Sequence, residues 1–503
     1  MGVRSGEQYL AGLRDGREVW LDGERVADVT AHPQLARTAR TIAALYDLQH
    51  DPALHEQMTF RSPSSGDPVA LSYLIPQTHD DLLRRRRALE IVAEYSNGML
   101  GRSPDYVNIQ VSASAACHAV YSAREKRFGD NLRAYHEYIR EHDLALTHTF
   151  GHPQVNRAAS VGAQPDPYIP VGVVDTTSEG VIVRGAKLLA TLAPFSDELF
   201  VPPYRPLQES EAMYALGFAI PTNTPGLSYI CRESFDAGRS LYDQPLSGLY
   251  EEMDALAVFD DVLIPWERVF AFNDVETHNR IITHAPMWPQ YMQQVAVKDI
   301  AKLRFILGIT KKVVDAINIG VHAHVQEKVA EIVDTLEMVR ALLRAAEADA
   351  GPGYGDGIWP AEQSWVVLRH WLPDAYTRVI WIVEQLCASG LMLTPTEADL
   401  RGPIRDTIAR FYQGAATDAA SRIQLFRLAW DLTGTQFGSR QALYERFFNG
   451  DIVRLRQTRY HTYDYGPAVA MVENFLNQVA EGEPALTPDP SPAGAGEGSL
   501  HQR

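Results

Sequence analysis

Apolar residues recur at helical spacing in several long stretches of the chain. From residue 78 the sequence THDDLLRRRRALEIVAEY has acidic residues in its first turn, and Leu82, Leu89 and Val92 lie on a common side. Thr78 has the side chain of a good N-cap, because its hydroxyl can accept a hydrogen bond from the first turn. The pattern therefore predicts a helix that begins directly after Thr78.

A second stretch keeps its apolar residues at spacings of three and four over about three heptads. This spacing predicts a bundle helix that packs along a seam and ends at the turn Gly351-Pro352-Gly353. Two further long helical regions are predicted at about residues 360–390 and 404–432. The seam positions are Val325, Val329, Ile332, Leu336, Val339, Leu343 and Ala346.

The pattern changes between residues 147 and 272. The runs PVGVV, GVIVRG, YALGFAIP, LSYIC and ALAVF are short, rich in β-branched and aromatic residues, and separated by Gly, Pro, Asn and Asp, which is typical of strands. The sequence therefore predicts an α+β chain with four parts. These are an N-terminal helical domain (1–146), a middle antiparallel β domain (147–272), a C-terminal helical bundle (273–480) and a disordered tail (481–503) rich in Pro, Gly and Ala.

Composition excludes several classes of function. The chain has 503 residues, 46% of them hydrophobic, and a formal net charge of −17, so no basic field would attract nucleic acid. It contains neither a signal-peptide-like apolar segment nor a run long enough to span a membrane. Its three cysteines, Cys117, Cys231 and Cys387, are far apart and show no metal-binding spacing. We expect a cytoplasmic enzyme with free thiols, no metal and no membrane or nucleic-acid partner.

The stretch GRSPDY (101–106) carries the first candidate chemistry. A serine-proline pair disfavours helix, so the segment is predicted to be a loop or a helix junction. In such a place Arg102 and Tyr106 could point inward, as side chains of a site often do. The alternative is an exposed turn in which Arg102 extends into solvent.

This stretch and seven other segments occur in the order in which a known family has them, and together they resemble that family. It is the family of oxygenase components of two-component 4-hydroxyphenylacetate 3-monooxygenases. The family also includes phenol and chlorophenol hydroxylases. The resemblance extends to about residue 475. It implies an acyl-CoA dehydrogenase-like fold, a homotetramer, and FAD used as FADH2 from a separate NAD(P)H flavin reductase. The segments are ALYDLQHDP (44–52), GRSPDY (101–106), THTFGHPQVNR (147–157), QPDPYIPVGVV (164–174), PTNTPGL (221–227), EEMDALAVFDDVLIPWERVF (251–270), HVQEKVAEI (324–332) and YERFFNGDIVR (444–454).

The resemblance also implies a reaction. Members of this family form a flavin hydroperoxide and transfer oxygen to the position ortho to a phenol hydroxyl, which gives a catechol. Arg102, Tyr106 and His148 match the family's phenol-binding residues. The resemblance implies that His148 is the general base, that Arg102 stabilises the phenolate and that Tyr106 positions the hydroxyl. The alternative for His148 is a core histidine with satisfied hydrogen bonds.

Three segments match flavin-binding residues of the family. The first includes Arg157, which could pair with a phosphate, and the second is Thr191, which could hydrogen-bond the flavin. The third follows Tyr444 in the chain, and its alternative is a helix-to-helix turn. The implied FAD ligands are Gln154, Val155, Asn156, Arg157, Thr191, Phe448, Asn449, Gly450 and Asp451.

One loop departs from the family. Where family members place donors for the substrate carboxylate, this chain reads LFVPPYRPL (199–207), with Pro203 and Tyr204 as the implied substrate-binding positions. Proline has no N–H to donate, although Tyr204 or Arg205 could supply a donor. The sequence therefore predicts 4-hydroxyphenylacetate or a related phenol as the substrate, and leaves the choice open.

The sequence also leaves alternatives to the monooxygenase function. A 4-hydroxybutyryl-CoA dehydratase-like enzyme needs several thiolates for an iron–sulfur cluster, and Cys117 is alone in the N-terminal region. A halophenol monooxygenase or an N-hydroxylase of the same fold is a further alternative. A flavin-storage or scaffold protein would tolerate loss of Arg102 and His148.

Overall fold

The computed structural model describes residues 2–153 and 155–480. The predicted tail (481–503) and the implied FAD ligand Gln154 lie outside these residues. The chain divides into two units, Met1–Asn449 and Gly450–Arg503. Of the described helices, α16 and α17 belong to the second unit and the others to the first.

The helices are α1 (Gly6–Gly12), α2 (Ala36–Leu48), α3 (His55–Met58), α4 (His79–Tyr95), α5 (Pro104–Ala116), α6 (His118–Tyr121), α7 (Lys126–His142), α8 (Val275–His284), α9 (Trp288–Ala316), α10 (Ala323–Ala348), α11 (Glu362–Cys387), α12 (Glu397–Arg401), α13 (Arg405–Phe411), α14 (Ala419–Thr433), α15 (Gln436–Phe447), α16 (Ile452–Thr462) and α17 (Gly466–Ala480). The strands are β1 (Glu18–Leu21), β2 (Glu24–Arg25), β3 (Thr59–Arg61), β4 (Pro68–Ala70), β5 (Leu146–His148), β6 (Gly172–Thr176), β7 (Gly180–Thr191), β8 (Glu198–Val201), β9 (Leu216–Pro221), β10 (Leu227–Cys231), β11 (Asp254–Pro265), β12 (Val269–Phe272), β13 (Gly351–Pro352) and β14 (Ile358–Trp359).

Two sheets form the β region. The larger has the strand order β2-β1-β10-β11-β7-β6, and the smaller β12-β9-β8-β5. Neighbouring strands are antiparallel except in the pairs β1 with β10 and β5 with β8. Side chains of both sheets share one core, in which Phe218 and Phe259 meet edge to face with ring centroids 5.9 Å apart. The predicted strands are confirmed, and β1 and β2 add an N-terminal hairpin to the larger sheet.

Two helices confirm the sequence pattern closely. Helix α4 has Thr78 as its N-cap, whose hydroxyl accepts a hydrogen bond from the backbone N–H of Asp81 at 3.1 Å. The side chain of Asp81 accepts in return from the N–H of Thr78, which completes a capping box. Helix α10 buries the predicted seam apart from the half-buried Val329, and it ends shortly before Gly351.

The prediction of one long helical region at 404–432 is wrong in one respect, because the chain forms two helices there. Helix α13 ends at Phe411, and α14 begins after Asp418, whose carboxylate caps it. Between them a Cβ on Gly414 would lie 2.3 Å from the carbonyl oxygen of Ala316. The chain therefore breaks here because its backbone packs directly against the end of α9, a constraint that helical spacing does not report.

Buried charges connect α9 to α15. Lys298 and Lys302 on α9 both approach one carboxylate oxygen of Glu445 on α15, at 2.7 and 2.5 Å. Burial opposes ionisation of Glu445, but the two ammonium groups outweigh it and lower the pKa of this carboxyl. Asp299 pairs with Lys298, and Gln441 accepts from Lys302 at 2.8 Å. The cluster ties two helices together inside the bundle.

All three cysteines are free thiols. Cys117 and Cys387 are buried and Cys231 is half-buried. Burial raises the pKa of each thiol to about 12. Within residues 2–153 and 155–480, the structure contains no helix that is both long enough and apolar enough to cross a bilayer.

The second unit carries an exposed apolar helix. Along α17 large hydrophobic side chains are exposed by half or more, which is typical of a surface that another protein chain covers. These side chains are Val469, Met471, Val472, Phe475, Leu476 and Val479.

Replacing Glu445 with glutamine is expected to destabilise the fold by about 3–5 kcal/mol, because two buried ammonium groups would lose their shared carboxylate. The control is Glu331→Gln, which removes a surface pair with Arg378 (2.7 Å) and should cost less than about 1 kcal/mol. The measurement is denaturant unfolding of both variants beside the unchanged protein. Equal losses in the two variants would contradict a structural role for the buried cluster.

Candidate functional site

Arg102 and Tyr106 lie at the start of α5. Of the two predictions for GRSPDY, a loop or a helix junction, the structure shows the helix junction: Pro104 is the first residue of the helix, where a missing N–H costs nothing. Arg102 lies in the turn just before it, and its backbone N–H donates to Glu252 Oε1 at 2.6 Å. The exposed-turn alternative is wrong, since Arg102 is 8% and Tyr106 1% exposed.

Aromatic rings surround the Arg102 guanidinium. Its Cζ lies 4.0 Å from the ring centroid of Tyr106, 5.0 Å from that of Tyr444 and 5.4 Å from that of Phe448. Arg102 Nη1 donates to the hydroxyl of Tyr444 at 2.5 Å. Among the described residues no carboxylate pairs with this guanidinium. The result is a buried positive charge with donors available for an electron-rich oxygen.

His148, the last residue of β5, completes the group. Its ring centroid lies 5.6 Å from that of Tyr106, and its buried Nδ1 has no hydrogen-bond partner within residues 2–153 and 155–480. Burial, and then the nearby charge of Arg102, hold the pKa of His148 well below its usual value. The imidazole is therefore neutral at pH 7, with a nitrogen able to accept a proton. We call Arg102, Tyr106 and His148 the Arg102 trio; the structure brings all three together.

A row of rings continues from His148 toward the loop that departs from the family. Phe150 lies 4.4 Å from His148, and Tyr204 stacks on Phe150 at 5.1 Å. Pro203 is buried, and Tyr204 is 38% exposed. Of these two implied substrate-binding positions, Tyr204 is therefore the one whose side chain contacts the row of rings.

Thr191 ends β7 beside an open cleft of about 760 Å³. Its hydroxyl donates to Asp254 Oδ1 at 2.8 Å, and the same oxygen accepts from Arg440 at 2.8 Å. Burial opposes ionisation of Asp254, but the positive charges of Arg440 and Arg232 outweigh it and lower the pKa of this carboxyl. Leu188, Ile230 and Phe235 line the cleft together with Asp254 and Arg440. Apolar walls with a polar edge suit a flat heteroaromatic ring.

The loop after β5 presents polar groups at the surface. Val155, Asn156 and Arg157 are all exposed. The side chain of Asn156 accepts from the N–H of Ala158 at 3.1 Å, which shapes the loop. Arg157 pairs with no carboxylate among the described residues, so its guanidinium is available to a phosphate.

The third FAD-matching segment spans both units. Phe448 stacks on Tyr444 with centroids 4.9 Å apart, and the buried Oδ1 of Asn449 has no partner. An orphaned buried amide oxygen suits a ligand donor. The second unit begins with Gly450, whose φ is 102°, and Asp451, which caps α16. These two residues form a helix-to-helix turn, which is the alternative predicted from the sequence for this segment.

Helix α15 supplies residues that sequence reasoning missed. Tyr444 contacts Arg102, and four residues earlier Arg440 pairs with Asp254 and with Glu252 (2.6 Å). Arg440, Tyr444 and Phe448 recur at intervals of four, so they share one face of the helix, and this spacing was a usable signal. Thr191, Arg157 and Asn449 carry a hydroxyl, a guanidinium and an amide. These are groups of the kind that would suit a dinucleotide with a flat ring.

The profile described as 4-hydroxyphenylacetate 3-hydroxylase N terminal matches residues 5–271, and the corresponding C terminal profile matches residues 279–477. The chain is 44% identical over 477 residues to the 4-hydroxyphenylacetate 3-monooxygenase oxygenase component of Thermus thermophilus, covering 95% of this chain and 98% of the relative.

Two solved structures share the fold. One is the oxygenase component of a 4-hydroxyphenylacetate 3-monooxygenase complexed with FAD and 4-hydroxyphenylacetate, with a TM-score of 0.90, 44% identity, and coverage of 95% of this chain and 99% of that one. The other is a 4-hydroxybutyryl-CoA dehydratase from N. maritimus, with a TM-score of 0.84, 19% identity, and coverage of 98% and 97%. The predicted α+β, acyl-CoA dehydrogenase-like fold is confirmed.

If His148 is replaced with asparagine, the free energy of unfolding is expected to fall less on acidification than it does in the unchanged protein. Because the folded pKa of His148 is lowered, unfolding takes up a proton in acid. The stability that the neutral imidazole contributes is complete above about pH 6.5 and declines as the pH falls toward the lowered folded value. Between about pH 7.5 and 5.5 the variant should therefore lose about 1.4 kcal/mol less unfolding free energy than the unchanged protein.

The measurement is denaturant unfolding at both pH values. The control is His284→Asn, because His284 is an exposed histidine outside the Arg102 trio. An unaltered pH dependence in His148→Asn would show that the imidazole is not held neutral.

Proposed function

The chain belongs to the 4-hydroxyphenylacetate 3-hydroxylase family, and we propose that the Arg102 trio holds the hydroxyl group of its phenol substrate. It is the oxygenase component of a two-component, FAD-dependent aromatic monooxygenase, which hydroxylates 4-hydroxyphenylacetate or a related phenol ortho to its hydroxyl and gives a catechol. A separate reductase supplies the reduced flavin.

Residues on the described segments would hold the cofactor. Thr191 would meet the flavin ring, Arg157 a phosphate, and the buried amide of Asn449 a further polar group of FAD. When bound, reduced FAD would supply the two electrons that activate O2, so that one oxygen atom of O2 enters the substrate and the other leaves as water.

The chain's own residues prepare the phenol. His148 accepts the phenolic proton, and loss of that proton makes the ring more electron-rich at the ortho carbon. The Arg102 guanidinium stabilises the phenolate oxygen, and Tyr106 fixes its position. One observation carries this proposal: Tyr106 lies between a buried guanidinium that has no carboxylate partner and a neutral histidine with an unpartnered ring nitrogen, as far as the described part of the chain extends.

The assembly and location are also proposals. We infer a cytoplasmic homotetramer in which other copies of this chain cover the exposed apolar side chains of α17, and the free thiols of all three cysteines suit a reducing compartment. We further propose domain limits at residues 146 and 272, supported by the span from β5 to β12, with the helical bundle continuing to residue 480.

Replacing His148 with alanine is expected to lower catechol formation by about 10²- to 10⁴-fold, because the phenol would no longer be deprotonated. Hydrogen peroxide should then account for most of the FADH2 consumed. The assay measures catechol and peroxide per FADH2, with 4-hydroxyphenylacetate as substrate and with FAD affinity determined separately. His284→Ala is the matched surface control. Normal coupling in His148→Ala would refute the assigned role.

A further inference from the structure

Lys187 is a buried cation that the proposed reaction does not use. It lies in β7, is 7% exposed, and its Nζ donates to the carbonyl oxygen of Phe150 at 3.2 Å. No carboxylate of residues 2–153 or 155–480 forms an ion pair with it. Burial lowers the pKa of Lys187 to about 7. A buried ammonium with one carbonyl partner still has donors to offer.

Two histidines share this environment. Burial lowers the pKa of both His152 and His278, and the positive charge of Lys187 lowers it further. Among the residues that the structure describes, the buried Nδ1 of each ring has no hydrogen-bond partner. His278 Nε2 is bonded to the carbonyl oxygen of Arg205 at 3.0 Å, so its ring is fixed against the loop 199–207. We call Lys187, His152 and His278 the Lys187 cluster. The Lys187 ammonium is the donor that this cluster offers to an anion, because His278 already gives its Nε2–H to Arg205 and its Nδ1 is then an acceptor. No carboxylate of residues 2–153 or 155–480 forms an ion pair with that ammonium.

The cluster adjoins the end of the ring row that is away from Arg102. Phe150 lies between His148 and Tyr204, and its carbonyl oxygen is the group that Lys187 contacts. His278 reaches the residue directly after Tyr204. A phenol held at its hydroxyl by the Arg102 trio and lying along this row would direct its para substituent toward the cluster.

We propose that the Lys187 cluster binds a carboxylate carried by the para substituent of the phenol, and thereby selects acidic phenols. The inference rests on the proposed function of the Arg102 trio. It answers a question that the loop raises, since Pro202 and Pro203 have no N–H to offer a carboxylate and the donors must come from elsewhere. An incoming carboxylate would also provide the anion that the buried ammonium lacks.

The experiment compares two substrates of nearly the same size and shape, the anionic 4-hydroxyphenylacetate and the neutral 4-hydroxyphenylacetamide. In the unchanged protein the acid should have the higher kcat/KM and bind more tightly by calorimetry. Lys187→Met should lower kcat/KM for the acid about 10- to 100-fold, chiefly through KM, and change that for the amide less than about threefold. Lys187→Arg should keep most of the preference, because it keeps the charge.

Several outcomes would overturn the proposal. Equal losses for acid and amide would make Lys187 a structural residue, and weaker FAD binding with an unchanged acid-to-amide ratio would make it a phosphate ligand. Absence of any preference in the unchanged protein would decide the matter even if Lys187→Met failed to fold. Failure of the proposed function is distinguishable, because the amide would then not be hydroxylated, while calorimetry with both ligands would still test the cluster.

Discussion

The Arg102 guanidinium, buried without a carboxylate partner, is the constraint on which the rest of the site depends. Burying an unpaired charge is costly, and a paired carboxylate would neutralise the charge that a phenolate needs. Three aromatic faces and the Tyr444 hydroxyl offset part of that cost without adding negative charge. Gly101 makes the arrangement possible, since a Cβ there would lie 2.4 Å from the Tyr444 hydroxyl oxygen.

Helix α15 transmits this constraint to the rest of the fold. Glu445 fixes the helix against α9 through two buried lysines, and the neighbouring Tyr444 is thereby held against Arg102. Arg440 on the same helix holds Asp254, the acceptor of the Thr191 hydroxyl. Glu252 binds both Arg440 and the backbone of Arg102. One helix therefore fixes the distance between the proposed phenol-binding groups and the proposed flavin-binding groups.

Local rules predicted what is local. The capping box of α4 and the seam of α10 depend on residues a few positions apart, so the sequence was sufficient. Proline at position 104 could either end or begin a helix, and only packing selected the second. The break near Gly414 depends on the distant carbonyl of Ala316.

The candidate site shows the same limit. The Arg102 trio could be proposed from its resemblance to a family. The spacing of Arg440, Tyr444 and Phe448 indicates a shared helix face, but it does not report that Tyr444 contacts Arg102, 342 positions away. Lys187 is harder still, because a lysine in a strand normally reaches solvent. Nothing in its neighbours along the chain reports that it is buried without an anion.

The protonation state of the three cysteines affects how well the enzyme resists oxidation by hydrogen peroxide. Hydrogen peroxide forms whenever oxygen is reduced without hydroxylation, and it attacks thiolates far faster than thiols. With pKa values raised to about 12, Cys117, Cys231 and Cys387 are protonated at neutral pH. The three thiols are therefore poor targets for sulfenic-acid formation, and the exposed thioether of Met392 is a more accessible sulfur for oxidation.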